Sequence, residues 1–322
     1  MPSDPAIDQA LVTWGDRLFY PGNRIVKSRP APRLMGKGLQ QRADHIRGRI
    51  RATVVRRAPQ VMVKVTGGGR GMKAIAAHFR YISKNGRLEI EDQRGEAIHG
   101  REGLRGLADE WRFGGSLIPE DAEYGHRREA FNIMLSMPRG TDPLAVQRAA
   151  RAFARAELAG HKYVMVLHDH QANPHVHLSV RAESAQGRRL NPRKTDLHRW
   201  RETFAEQLHE QGIDAEATRQ ATRGARRQPA ALWQIKAAEA QRLAFPRPGQ
   251  RTGAAANANR AAARDAWQAL AAALAGSAQA SDQRLGAAIR DHAQSLARAP
   301  QPTRDRQDAM LGPAPRNPDR AR

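Results

Sequence analysis

The residues best equipped for chemistry are His168, His175 and His177, all within the run HDHQANPHVHL. In an extended strand, residues two apart share a face, so His175 and His177 project together while Val176, Leu178 and Val180 fill the opposite side. Pro174 biases Asn173 toward extended geometry and stands at a strand start, where its missing donor costs least. His168 closes the preceding strand, and a short hairpin connection returns it beside His175. Three imidazoles converging in this way offer neutral nitrogen donors to one side of a metal ion, with positions left open for water or substrate. That is the arrangement of a catalytic metal. A lone strand histidine is more often a surface or hydrogen-bonded residue. The third histidine, the Asn-Pro step and the hairpin tip the balance toward metal. The chain has no cysteine, so ligands must be nitrogen or oxygen.

Alternation of period-two and period-3.6 patterns around this run predicts an α+β domain. Strands are expected at 60–66, 88–91, 130–137, 161–168 and 175–182, and helices at 71–84, 102–113, 141–158 and 195–211. In the first strand Val61, Val63 and Val65 share a face. In the helix after it Met72, Ile75, Ala76, Phe79 and Ile82 keep 3-and-4 spacing, and Asn85-Gly86 supply a stop. Thr141-Asp142-Pro143 is a helix start with proline in the first turn.

Fifty-four Lys and Arg against thirty-two Asp and Glu leave a net charge of +22, which favours polyanionic partners and nucleic acid first. Residues 1–58 are broken by Pro21, Pro30 and Pro32 and then become arginine-rich, and they read as a basic, largely disordered arm. Only the stretch around Trp14, Leu18, Phe19 and Tyr20 is apolar enough to dock. The catalytic domain is expected over 59–227. Residues 228–322 read as an alanine-rich extension with helices near 230–244, 255–275 and 282–298 and a disordered basic tail. Nothing in the opening residues suggests a signal peptide or membrane span, so a cytoplasmic protein without membrane insertion is expected.

HDHQANPHVHL resembles the third motif of the relaxase and mobilisation nuclease family, whose pattern is His, an acid, Asn or His, Pro and His-X-His on an HUH-endonuclease fold. VKVTGGGRGMKAIAAHFRYISKNGRLEIED (63–92) is similar to that family's opening strand, glycine turn and tyrosine-bearing helix, especially in T-DNA border nucleases. LSMPRGTDP (135–143) resembles its second motif and ATRQATRG (217–224) its domain end. The resemblance spans roughly 60–227. It implies a central five-stranded, mainly antiparallel sheet with helices packed on one face. It also implies Tyr81 as nucleophile, His168, His175 and His177 as ligands of a divalent metal, and single-stranded DNA at an origin of transfer as substrate. Magnesium or manganese is the expected ion, with zinc or nickel also compatible with three imidazoles. Relaxosome accessory proteins and a type IV secretion coupling protein are the implied partners, and transfer with the DNA is a further implication. One departure stands out: the family places Asp two residues after the first histidine, where this chain has His170, with Asp169 one place early. Asp169, His170 and Asn173 are therefore the candidates for orienting a ligand or accepting a proton.

Elimination gives partial support to Tyr81 among four tyrosines. Tyr163 lies in an apolar strand, Tyr20 in the basic arm and Tyr124 in a loop. Tyr81 alone sits near a helix end beside the buried stripe, although without the motif a wet amphipathic boundary residue would be the better reading. His78 and Lys84 share its helical face and could bias its ionisation or hold phosphate. Arg70, Lys73, Arg80 and Lys84 are the DNA-backbone candidates as a group. Gly67 to Gly69 lack a following Gly-Lys-Ser/Thr and do not form a P-loop. The alternatives are a rolling-circle replication initiator, a cupin-like metal enzyme using Glu183, and a non-catalytic basic nucleic-acid binder.

Overall fold

In the computed structural model, which describes residues 4–20, 34–121, 127–171, 173–223, 241 and 253–298, the alternating segments form one sheet. Its strands are β1 (Met62–Gly67), β2 (Ile90–Asp92), β3 (Ala97–Ile98), β4 (Ala130–Ser136), β5 (His161–His168) and β6 (His175–Ser184). They lie in the order β1-β4-β6-β5-β2-β3, and every neighbouring pair is antiparallel. The helices are α1 (Pro5–Phe19), α2 (Gly36–Ile50), α3 (Met72–Ile82), α4 (Gly100–Phe113), α5 (Pro143–Glu157), α6 (Lys194–Glu210), α7 (Ala254–Ala275) and α8 (Ala280–Arg298).

Strand parity decides what each face of the sheet buries. Val176, Leu178 and Val180 of β6 join Ile133 and Leu135 of β4 and Met165 of β5 under α5 and α6, against Val146, Phe153, Trp200 and Phe204. Full burial of each such side chain stabilises the fold by roughly 1.5–3 kcal/mol, so this face anchors β6. The opposite parity carries Val164 and Val166 of β5, which pack with Ile75, Phe79 and Ile82 of α3 and Leu104, Leu107 and Trp111 of α4. Asp142 caps α5 by accepting from the amides of Leu144 and Ala145, with Pro143 in the first turn as the sequence requires.

The α+β class is the one expected, and three particulars differ. The sheet has six strands, because the two-residue β3 is too short to leave a periodic signal. Helices cover both faces, since α3 and α4 pack opposite α5 and α6. The segment read as a disordered arm contains two helices among its described residues. In α1, Asp4 accepts from Ala6 N at 2.8 Å, Pro5 opens the first turn, and Ile7, Leu11, Leu18 and Phe19 are buried. In α2, Leu39, Ala43, Ile46 and Ile50 recur at 3-and-4 spacing, a stripe that the intervening arginines disguise. Arg49 is itself buried and donates to Glu216 and Glu202.

Two compact units result: 1–20, 35–43 and 220–322 in one, and 21–34 and 44–219 in the other. In the first, the Phe19 ring meets Trp267 edge-on and the Trp267 indole N–H donates to the Thr222 carbonyl at 2.8 Å. Helices α7 and α8 match the expected 255–275 and 282–298, whereas the helix expected near 230–244 lies outside the described residues, apart from 241. Among the described residues no helix is long and apolar enough to cross a membrane.

Candidate active site

On the α3 side of the sheet, the register of the β5–β6 hairpin sets His168 directly opposite His175 and Val166 opposite His177. Paired residues on antiparallel strands point to one face, so all three imidazoles converge. Their ring centroids are 4.8–5.0 Å apart, and one ring nitrogen from each lies within 4.8 Å of the others. They are 5%, 7% and 9% exposed, which is deep for three polar rings with no carboxylate among them.

Backbone carbonyls orient two of the rings. His168 Nε2–H donates to the carbonyl of Ile82, the last residue of α3, at 2.7 Å, and His175 Nδ1–H donates to the Asn173 carbonyl at 2.9 Å. These bonds assign the tautomers and leave His168 Nδ1 as a lone-pair nitrogen. That atom and His177 Nδ1 are buried without a hydrogen-bond partner. An orphaned buried polar atom costs about 1–3 kcal/mol, and a shared cation would relieve that cost. Burial, then the neighbouring His168, His175 and His78, push the His177 pKa down to about 3. Burial likewise lowers His168, partly opposed by its bond to Ile82. His168 and His177 are thereby biased toward the neutral form that metal ligation requires.

Tyr81 stands in the last turn of α3, 70% exposed. Its ring lies 6.4 Å from that of His177, nearly perpendicular, and 6.1 Å from that of His78 in a stacked arrangement. The bond from His168 to the next carbonyl along ties the tyrosine turn to the histidine cluster. The other tyrosines are placed elsewhere. Tyr163 is buried in the opposite core, Tyr20 lies under the Arg42 guanidinium, and Tyr124 is outside the described residues.

Of the candidates around the displaced acid, His170 has its ring 5.1 Å from His168. Asp169 is exposed, with no hydrogen bond or ion pair to any of the three histidines. Asn173 contributes its backbone carbonyl. His78 is buried enough that its pKa falls to about 4, so a neutral ring stands beside Tyr81 and holding phosphate by charge does not suit it. Lys84, with φ of 50°, is near enough to His168 to disfavour its protonation. Lys73 pairs with Asp121 at 3.7 Å, and Arg70 and Arg80 are exposed. Glu183, the cupin-type ligand candidate, is bound to Arg189 and is not among the metal-ready residues. The open sheet likewise lacks a cupin barrel. Sequence reasoning did not reach the Ile82 carbonyl, since backbone acceptors leave no mark in residue identity.

Stability should depend on pH through these buried rings. An unfolded chain takes up the protons of His78 and His177 as pH falls through 6.5, whereas the folded chain resists until about 4 and about 3. The unfolded state therefore binds more protons within that window, and metal-free protein loses stability as pH drops from about 6.5 toward 4. Thermal unfolding of chelator-treated protein should show this decline, flattened in His78→Phe. A profile level across the window in the parent protein would contradict neutral burial.

An antiparallel sheet that presents three buried imidazoles beside a tyrosine-bearing helix has the layout of an HUH-type nuclease. Residues 81–213 match the family model for the relaxase, MobA/VirD2-like, nuclease domain, a match that supports assignment to the relaxase family. The match opens at Tyr81, so β1 and most of α3 precede it. A search of curated proteins returned no match.

Proposed function

We propose that this chain nicks one DNA strand at an origin of transfer by tyrosine transesterification and so mobilises a plasmid or integrative element. The observation that carries the reading is the Tyr81 ring held 6.4 Å from His177 at the edge of a buried three-histidine cluster. Tyr81 oxygen attacks the scissile phosphorus, a phosphorus–oxygen bond forms to the phenol, and the bond to the 3′ oxygen breaks. The phenolic proton is lost and the departing oxygen gains one, giving a 5′-phosphotyrosine and a free 3′ hydroxyl. Phosphodiester energy is conserved, so the same groups rejoin ends after transfer.

His168, His175 and His177 would hold a divalent ion, magnesium or manganese first, which neutralises charge on the phosphate oxygens. The Ile82 and Asn173 carbonyls fix the rings that hold it. His170 takes the orienting place that an acid fills in the family, and Asp169 is the weaker candidate. Exposed Lys84, Arg70 and Arg80 meet the DNA backbone. The setting is the bacterial cytoplasm, with accessory relaxosome proteins and a coupling protein as partners. Incubation with single-stranded DNA from the element's transfer origin should yield a nicked, protein-linked product. Chelator should abolish it and manganese or magnesium restore it. Cleavage that persists undiminished in chelator would overturn the metal role.

A further inference from the structure

Between α3 and α4 lies a groove of about 470 Å³ lined by Arg80, Asn85, Arg101 and Arg105, with Ala76, Leu104 and Ala108 completing the wall. Its construction follows from helix periodicity. Ala76 and Arg80 stand one turn apart on α3, as do Arg101 and Arg105, and Leu104 and Ala108, on α4. A backbone contact closes its end: Gly100 N–H donates to the Gly86 carbonyl at 3.2 Å. A Cβ on Gly86, whose φ is +83°, would stand 2.6 Å from the Gly100 carbonyl carbon. Only glycine lets the end of α3 approach the start of α4 so closely.

No carboxylate lines this groove. None of its three arginines makes an ion pair with another described residue, whereas nearby Arg112 pairs with Glu120 and Arg94 with Asp92, each at 2.8 Å. Three unneutralised guanidiniums around one concavity repel each other, and a chain of phosphates would relieve that repulsion. The apolar wall suits a sugar or base face. Arg80 adjoins Tyr81 in sequence, about 100° away around α3, so the groove opens beside the nucleophile's turn and outside the histidine cluster.

We infer that this groove is a second subsite for single-stranded DNA, holding phosphates of the strand that passes Tyr81. The inference rests on the relaxase reading for its ligand and assigns Arg101 and Arg105 a role of their own. Arg101→Gln/Arg105→Gln leaves Tyr81, Arg80 and the histidines in place and alters only exposed side chains. The probe is a fluorescein-labelled oligothymidylate of about 20 nucleotides, its anisotropy read without metal across a salt series.

Affinity should fall about tenfold or more, and the slope of log affinity against log salt should shrink by about 1.4, near 0.7 for each lost phosphate contact. The control Arg155→Gln/Arg188→Gln removes equal charge from exposed positions outside the groove and should change both quantities less. Equal effects from the two variants, or an equal loss on a duplex of the same length, would overturn the subsite. Because this readout needs neither metal nor cleavage, it separates the two ideas. A chain that gives the expected slope change yet never forms a covalent adduct fails the relaxase reading alone, and adduct formation with an unchanged slope fails the subsite alone.

Discussion

Replacing Tyr81 by Phe is expected to eliminate the covalent protein–DNA product, lowering strand cleavage by at least about 10⁴-fold, because a nucleophile has no substitute at its position. Affinity for single-stranded DNA should stay near the parent value. Tyr81 is 70% exposed, so its hydroxyl supports no buried network and its loss should leave thermal stability unchanged. That combination separates a nucleophile from a structural tyrosine. Tyr163→Phe supplies the contrast, since that ring lies under α5 and α6 on the far side of the sheet. It should leave adduct formation intact. An adduct of parental yield in the Tyr81→Phe protein would remove this residue from the chemistry.

The second large effect is expected from His177→Ala. The His177 ring touches the other two imidazoles and faces His78 and Tyr81, so it is the hub of the cluster. Its removal should weaken manganese binding at least about 100-fold and lower cleavage by about 10²- to 10³-fold. Calorimetric titration reads the first and a cleavage assay the second. Metal should also raise the melting temperature of the parent protein, because an ion bound only by the folded state stabilises it, and the variant should lose that rise. Retention of the rise would show that the ion binds elsewhere.

The histidine cluster was legible in sequence because a strand has a period of two and a short hairpin leaves little choice of register; His168 opposite His175 follows from those facts. The nearness of Tyr81 was not legible in that way. It depends on α3 packing across Val164 and Val166, and periodicity cannot say which face of a sheet a helix covers. The same gap explains why helices were expected on one face only. Composition misled at the N-terminus: Arg42, Arg47 and Arg49, two of them buried, interrupt the stripe of Leu39, Ala43, Ile46 and Ile50 in α2. Tertiary partners such as Glu216, which accepts from buried Arg49, lie far along the chain. Asn173, a candidate for orienting a ligand, does so through its backbone carbonyl, which residue identity does not announce. The groove beside α3 escaped because it requires the Gly86–Gly100 contact, which only the folded chain displays.

Peptide mapping of the adduct formed by the unaltered protein on single-stranded origin DNA tests the central claim most directly. After proteolysis and nuclease trimming, mass spectrometry should find nucleotides attached through a 5′ phosphate to the peptide containing Tyr81, with a free 3′ hydroxyl on the released strand. Attachment at another residue, or linkage through a 3′ phosphate, would contradict the account.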